Sequence, residues 1–281
     1  MGLLGGSVPI GVLGADAPRR AAVARLKERI PSPLPGGVVH YFDDFDLPRF
    51  LPVTADFGHR GYGFIVTPNV DHLIRCHEDA SFRDIYRAAA FVLLDSRVVA
   101  RLLKVFKALR FPVCPGSDLT GALFSNVIRP SDRIVIIGGT VQQAQILARR
   151  HGLTDLRHHE PPMGFIRDSA ALERCVQFIE ESSPFRFCFL AVGSPQQEIL
   201  AHHLWKRGHA RGLALCIGAS LNFLTGVERR APTWIQQASL EWLYRLLQAP
   251  QRMAYRYLVR GPRFFAHLIS SRFVLRAPAA D

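Results

Sequence analysis

Asp95 closes the apolar run Phe91-Val-Leu-Leu with a carboxylate. A charge at the end of a buried segment is costly unless it is solvated, hydrogen-bonded or put to use. Two uses fit. Asp95 could cap the helix that follows, or it could stand at a cleft as a general base, taking the proton from an attacking hydroxyl. Asn69, two residues beyond Thr67, has the same two readings, helix cap or ligand contact. Other apolar runs end on small and polar residues: Gly138-Gly139-Thr140, Gly193-Ser194-Pro-Gln-Gln197-Glu198 and Gly218-Ala-Ser220. Glycines at such ends let backbone N–H groups approach a phosphate, and the next helix N-terminus adds partial positive charge. A tight turn also needs glycine, so each glycine alone says little. No GxGxxG follows these runs, which ranks a dinucleotide enzyme low. Asp43-Asp44-Phe45-Asp46 contains a DxD, a carboxylate pair suited to Mg²⁺ or Mn²⁺ beside a diphosphate. It lies at the front edge of the body, away from the inner strand ends, and a solvated turn is the preferred reading.

The elements that must position these residues are short β-branched runs alternating with amphipathic stretches. Strands are expected at Gly63–Thr67, Phe91–Asp95, Arg133–Gly138, Phe187–Gly193 and Leu213–Gly218. Their near-continuous apolarity suits a parallel sheet covered on both faces. A helix is expected from about Ala170 to Ser183, stopped by Pro184. The alternation predicts an α/β fold, a Rossmann-like parallel sheet sandwiched by helices, with ligands beyond the carboxyl ends of the strands. Three regions follow: a loose leader over 1–37, the Rossmann-like body over 38–230, and a basic helical appendage over 231–281. The appendage reads as three helical pieces, with Pro250 in the first turn of the second and Gly261-Pro262 starting the third. Between Trp242 and Ala280 there are seven Arg and no Asp or Glu.

The chain has 281 residues, enough for one substantial core, and a net charge of +12 that favours anionic partners. No nucleic-acid-binding motif accompanies the charge, so nucleic acid is not an expected partner. Arg252, Arg256 and Arg260 are four apart and form one helical stripe, flanked by Arg245 and Arg263. A solvated basic face is the bland reading. The interleaved Trp242, Tyr255 and Phe264 favour a helix lying on an anionic membrane surface. No run approaches ~20 apolar residues, and the N-terminus does not read as a signal peptide, so a cytoplasmic protein is expected. The five cysteines, with no CxxC, read as reduced core thiols, not a zinc or redox centre.

Five segments occur in the order and approximate spacing of one known family: Thr67-Pro-Asn-Val-Asp-His72, Gly116-Ser-Asp-Leu119, Gly193-Ser-Pro-Gln-Gln-Glu198, Arg229-Arg-Ala-Pro-Thr-Trp234 and Glu241-Trp-Leu-Tyr-Arg-Leu-Leu-Gln-Ala-Pro250. Over about residues 40–260 the chain resembles the WecG/TagA/CpsF glycosyltransferases. The resemblance implies an inverting, metal-independent transferase without a cofactor. It would move a sugar from a UDP-linked donor, of the UDP-glucose or UDP-N-acetylmannosamine type, to a polyprenyl-diphosphate-linked sugar. Such a reaction serves exopolysaccharide or other cell-surface polysaccharide synthesis on the inner face of the cell membrane. It implies Asp95 as the base, Thr67 and Asn69 on the acceptor side, and Gln197 at the sugar or diphosphate. Gly138, Gly139, Gly193 and Ser194 would bind the donor, with Asn222 near the uracil where relatives usually carry Asp. Arg245, Arg252, Arg256 and Arg260 would meet diphosphate or membrane, and the chain could self-associate through its tail. Departures are Ser96 in place of Gly after the base, Val113 in place of an Arg, and Pro161-Pro-Met-Gly-Phe165 in place of a Gly-Tyr-Phe signature. They leave the sugar open, and they keep alive a non-catalytic, UDP-sugar-binding or scaffolding relative.

Overall fold

The structure, a computed structural model, describes residues 37–57, 61–248, 250–251 and 261–276. The expected leader, almost entirely, and Arg252, Arg256 and Arg260 lie outside the described residues, as does the side chain of Arg245.

Chain order is β1 (Val39–Asp43), α1 (Leu47–Asp56), β2 (Tyr62–Val66), α2 (Val70–Glu78), α3 (Ala80–Ala88), β3 (Phe91–Val92), α4 (Arg97–Lys107) and α5 (Gly116–Asn126). Then come β4 (Arg133–Ile137), α6 (Val141–His151), β5 (Asp155–His159), a 3₁₀ turn at Phe165–Arg167, α7 (Ser169–Glu181), β6 (Phe187–Leu190), α8 (Gln196–Arg207) and β7 (Gly212–Cys216). The chain closes with α9 (Ser220–Thr225), α10 (Thr233–Gln237), α11 (Glu241–Gln248), α12 (Gly261–Ser270) and β8 (Arg272–Arg276). Six strands form one parallel sheet in the order β3-β2-β7-β6-β4-β5.

Successive strand residues point to opposite faces, and the apolar strands split accordingly. Phe64, Val66, Val135, Ile137, Cys188 and Leu190 pack against α2, α3, α4, α7 and α8. Ile65, Leu93, Ile134, Ile136, Phe187 and Phe189 pack against α1, α5, α6 and α9. Both faces are covered, which is why these runs show no polar alternation. β4 is followed by α6 on one face, and its neighbour β6 by α8 on the other. The connections diverge there, and ligands of such sheets bind beyond the carboxyl ends of strands at such a point.

Three expectations are corrected. The run Phe91–Asp95 is a strand only over its first two residues; Leu93 and Leu94 continue extended and buried. Strand β5, DLRHH, escaped notice because it is polar and half-buried throughout, as an edge strand can be. The end of the chain is not wholly helical. Residues 272–276 form β8, which pairs in parallel with β1 from Val39↔Arg272 to Asp43↔Arg276. Pro33–Pro278 form one compact unit, in which Phe264, Leu268 and Phe273 are buried in the same core as Phe42 and Leu73. The basic composition of the tail is real, but its apolar side is part of the body's core.

Candidate active site

Two segments converge beyond the end of β3. Asp95 N–H donates to the carbonyl of Pro68, after β2, at 3.1 Å, and Cys114 N–H donates to Leu94 O at 2.9 Å. The 114–116 segment therefore runs beside the exit of β3, and Gly116 N–H donates to Asp95 Oδ1 at 2.8 Å. Glycine is needed at 116, since a Cβ there would stand 2.8 Å from Thr67 Oγ1. Asp95 is not the helix cap. That task belongs to Ser96, whose Oγ accepts from Val99 N–H at 3.2 Å. The Asp-Ser departure thus serves α4, and the carboxylate is left to line a cavity of about 320 Å³. Asn69 lines the same cavity and also caps α2, accepting from Asp71 N–H at 3.0 Å. The cap reading is observed, and the side chain's place in the lining leaves the ligand contact as an expectation.

Apolar side chains line the cavity alongside the polar Asp71, Gln236, Ser239 and Glu241. Val98 and Leu102 come from α4, Trp242 from α11, and Phe264 and Phe265 from α12. Arg97, which the sequence did not single out, lines it two residues from Asp95. Its guanidinium lies 3.3 Å from Asp118 in the Gly116-Ser-Asp-Leu119 segment, and Arg230 from Arg229-Arg-Ala-Pro-Thr-Trp234 pairs with the other oxygen of Asp118. Sequence alone showed these as separate motifs; in space one carboxylate gathers them. Val113, where an Arg was missed, is half-buried against the core.

The remaining site residues lie elsewhere. Thr67 ends β2 against Gly116 and is not part of the cavity wall. Gly138 and Gly139, at the end of β4, have positive φ. A Cβ on Gly138 would lie 2.8–3.0 Å from Val192 and the Ala191 backbone, and one on Gly139 would lie 3.0 Å from Gln143 Oε1. Packing alone therefore accounts for both glycines. Gly193 also has positive φ, but nothing stands within 4 Å of where its Cβ would be, and Ser194 follows it at the start of the α8 turn. Asn222, in α9, accepts from Gln143 Nε2 at 2.9 Å and donates to Glu228 Oε1 at 3.2 Å. Gln197 is buried, 4% exposed. The structure thus brings Asp95 and Thr67 together at Gly116, sets Asn69 with Asp95 in one cavity lining, and brings Gly139 and Asn222 together at Gln143. The donor-side set does not line the Asp95 cavity.

The DxD carboxylates have structural tasks. Asp43 is buried, accepting from Val92 N–H at 2.7 Å and pairing with Arg276 at 2.8 Å. Asp46 caps α1, and Asp44 pairs with Arg49. Only the last two fit the expected solvated turn. All five cysteines are buried and free, and burial pushes the Cys76, Cys114 and Cys175 thiols up to about 12. Among the described residues no three His, Cys, Asp or Glu side chains are grouped to hold a metal ion, and no helix is long and apolar enough to cross a membrane. Residues 39–278 match the glycosyl transferase WecG/TagA/CpsF family.

Proposed function

The chain belongs to the WecG/TagA/CpsF family of glycosyltransferases, and from that premise we propose that it transfers a sugar from a UDP-linked donor to a polyprenyl-diphosphate-linked sugar, with Asp95 as general base. One observation carries the reading: Asp95, relieved of capping by Ser96 and held through Oδ1 by Gly116 N–H, lines a cavity together with the apolar Val98, Leu102, Trp242, Phe264 and Phe265. A carboxylate so held can take the proton from an acceptor hydroxyl while the sugar's anomeric carbon is attacked from the opposite side to the leaving diphosphate, which inverts it. The apolar side chains of Leu102, Trp242 and Phe264 suit the lipid end of such an acceptor. Arg97, beside Asp95, supplies a guanidinium for its phosphates in the neighbourhood where Val113 offers none. The UDP-sugar is placed beyond the strand ends at Gly138, Gly139, Gly193 and Asn222, with developing charge met by backbone N–H groups and arginines, without metal.

A peripheral position on an anionic membrane surface belongs to the same proposal. The outer side of α4 exposes Val105 (75%) and Phe106 (58%). Phe106 meets Phe265 of α12 edge-on at 6.4 Å, and Lys107 Nζ donates to Ile269 O at 2.8 Å. Exposed aromatic and basic residues side by side suit an interfacial surface.

The test is UDP release from a panel of UDP-sugars with a polyprenyl-diphosphate-sugar acceptor in EDTA. Wild type should turn over one donor, and Asp95→Asn should lower kcat by about 10²–10⁴-fold. Unchanged turnover in the variant moves the base elsewhere. Silence with every donor, alongside retained UDP binding, favours a non-catalytic sugar-nucleotide-binding protein.

A further inference from the structure

Behind the cleft, one hydrogen-bonded chain joins the ends of β2 and β7. At its centre is Glu198, in the first turn of α8 and 1% exposed. Glu198 Oε1 accepts from Gln197 Nε2 at 2.8 Å and lies 3.3 Å from His72 Nε2. Each arm continues outward. Gln197 Oε1 accepts from Gly218 N–H, just past β7, at 2.8 Å. His72 Nδ1 accepts from the N–H of Asn69, just past β2, at 3.3 Å.

A buried carboxylate is costly, and an apolar side chain of similar volume would often serve stability as well. Glu198 is not even fully compensated: its Oε2 has no hydrogen-bond partner among the described residues. Burial pushes its carboxyl up, yet the hydrogen bonds from His72 and Gln197 hold it below the usual carboxylate range, and the α8 N-terminus favours the anion. What an ionised carboxylate offers here is direction, because it can only accept. Gln197 must turn its NH₂ inward and its carbonyl outward to Gly218. His72 must keep its proton on Nε2, leaving the Nδ1 lone pair for Asn69. One acceptor-only group thereby sets the polarity of both arms.

We propose that Glu198 is a positioning residue for the transfer: through Gln197 and His72 it fixes the loop at Gly218 relative to the loop at Asn69, with His72 turned so that Nε2 faces Glu198 and Nδ1 accepts from Asn69. This rests on the reading above, with the acceptor in the cavity that Asn69 and Asp95 line and the donor at Gly138, Gly139, Gly193 and Asn222, the last of them four residues beyond Gly218. Asp95 N–H bonds to Pro68 O, the residue next to Asn69, so the same chain reaches the base.

Glu198→Gln keeps the shape and loses the acceptor-only character. Nothing then keeps an oxygen, and not the NH₂, at the position that Gln197 and His72 share; a turned amide sets donor against donor there, and the other orientation leaves a buried NH₂ in place of Oε2. In the full-length variant kcat should fall at least about tenfold per folded molecule, with a shifted KM for donor or acceptor, whereas a purely structural role would move only the folded fraction. His72→Gln is the rescue, since glutamine at that capping-box position can accept from Asn69 N–H and still donate to Glu198. It should keep turnover within about threefold. His72→Asn accepts but is too short to reach Glu198, and should resemble Glu198→Gln; the His72 pair decides the matter if Glu198→Gln does not fold. Nitrogen chemical shifts of the His72 ring in the wild-type chain should report the Nε2–H tautomer, without any substrate. A proton on Nδ1, or wild-type kcat and KM in Glu198→Gln or His72→Asn, overturns the inference. If wild type transfers no sugar at all, the proposed function fails instead, and the tautomer together with UDP affinity in Glu198→Gln still decides whether the chain is built as described.

Discussion

Asp118 sits where two motifs meet, between Arg97 and Arg230. Arg230 Nε and Nη2 are buried without hydrogen-bond partners among the described residues, so Asp118 is the anion that makes this arginine tolerable. Asp118→Asn should cost roughly 1–3 kcal/mol in a denaturant melt, because it leaves two neighbouring guanidinium groups with a neutral amide. If stability is unchanged, the arginines are neutralised by something else. Turnover should fall as well, since Arg97 loses its orientation in the Asp95 cavity. At this scale the sequence was half legible. Asp95 stood out as a carboxylate ending an apolar run, and Asn69 as a polar residue after a strand. Gln197 and Asn222 were found by position, but their bonds to Gly218, Gln143 and Glu228 come from segments remote in sequence. No local pattern could reveal Arg97 or His72, whose roles exist only once distant carboxylates are brought alongside.

Each element's ends decide what its glycines and caps can be tested for. Gly138→Ala combines a positive φ with a collision against the Ala191 backbone, and should destabilise by about 2–4 kcal/mol whatever it does to a donor. Gly193 differs, because its surroundings are open. Gly193→Ala should cost only about 1–2 kcal/mol for the left-handed backbone, and any loss of UDP-sugar affinity beyond that reports a ligand passing close to the α8 turn. Calorimetric UDP binding in the two variants separates the cases; equal affinity in Gly193→Ala and wild type would remove Gly193 from the donor site. Ser96→Ala should cost about 1 kcal/mol through the lost α4 cap. The inner strands and α7 were legible because parallel strands buried on both faces read as unbroken apolar runs. β5 and β8 were not. One is a polar edge, and the other, RFVLR, is short and becomes a strand only because β1 lies beside it.

For the molecule as a whole, the two-stranded layer of β1 and β8 is held by more than its ladder. His40 stacks on Phe273 at 5.1 Å, and His77 of α2 stacks on His267 of α12 at 3.7 Å. Burial, with the nearby His77, Arg83 and His267, pushes His40 down to about 3. An unfolded His40 takes up its proton near pH 6.5, while the folded one refuses it until about pH 3. The unfolded state therefore binds more protons across that window, and stability is lost as pH falls through it, by on the order of 4 kcal/mol at the bottom. The melting temperature should drop between pH 6.5 and 4, and His40→Phe should flatten that drop; equal slopes in the two proteins would assign the loss to other groups. The sequence showed the tail's charge but not this docking, because a basic, aromatic composition reads as a surface feature even when half of it faces inward. The pairing of β1 with β8 also fixes an order of events during synthesis. Val39 waits for Arg272, and the wall of the Asp95 cavity waits for Trp242, Phe264 and Phe265. A growing chain can lay down all six strands of the central sheet by Cys216, while the cavity that Asp95 lines stays unwalled until Trp242, Phe264 and Phe265 have been made, so the sheet and the pocket are separable stages of one fold.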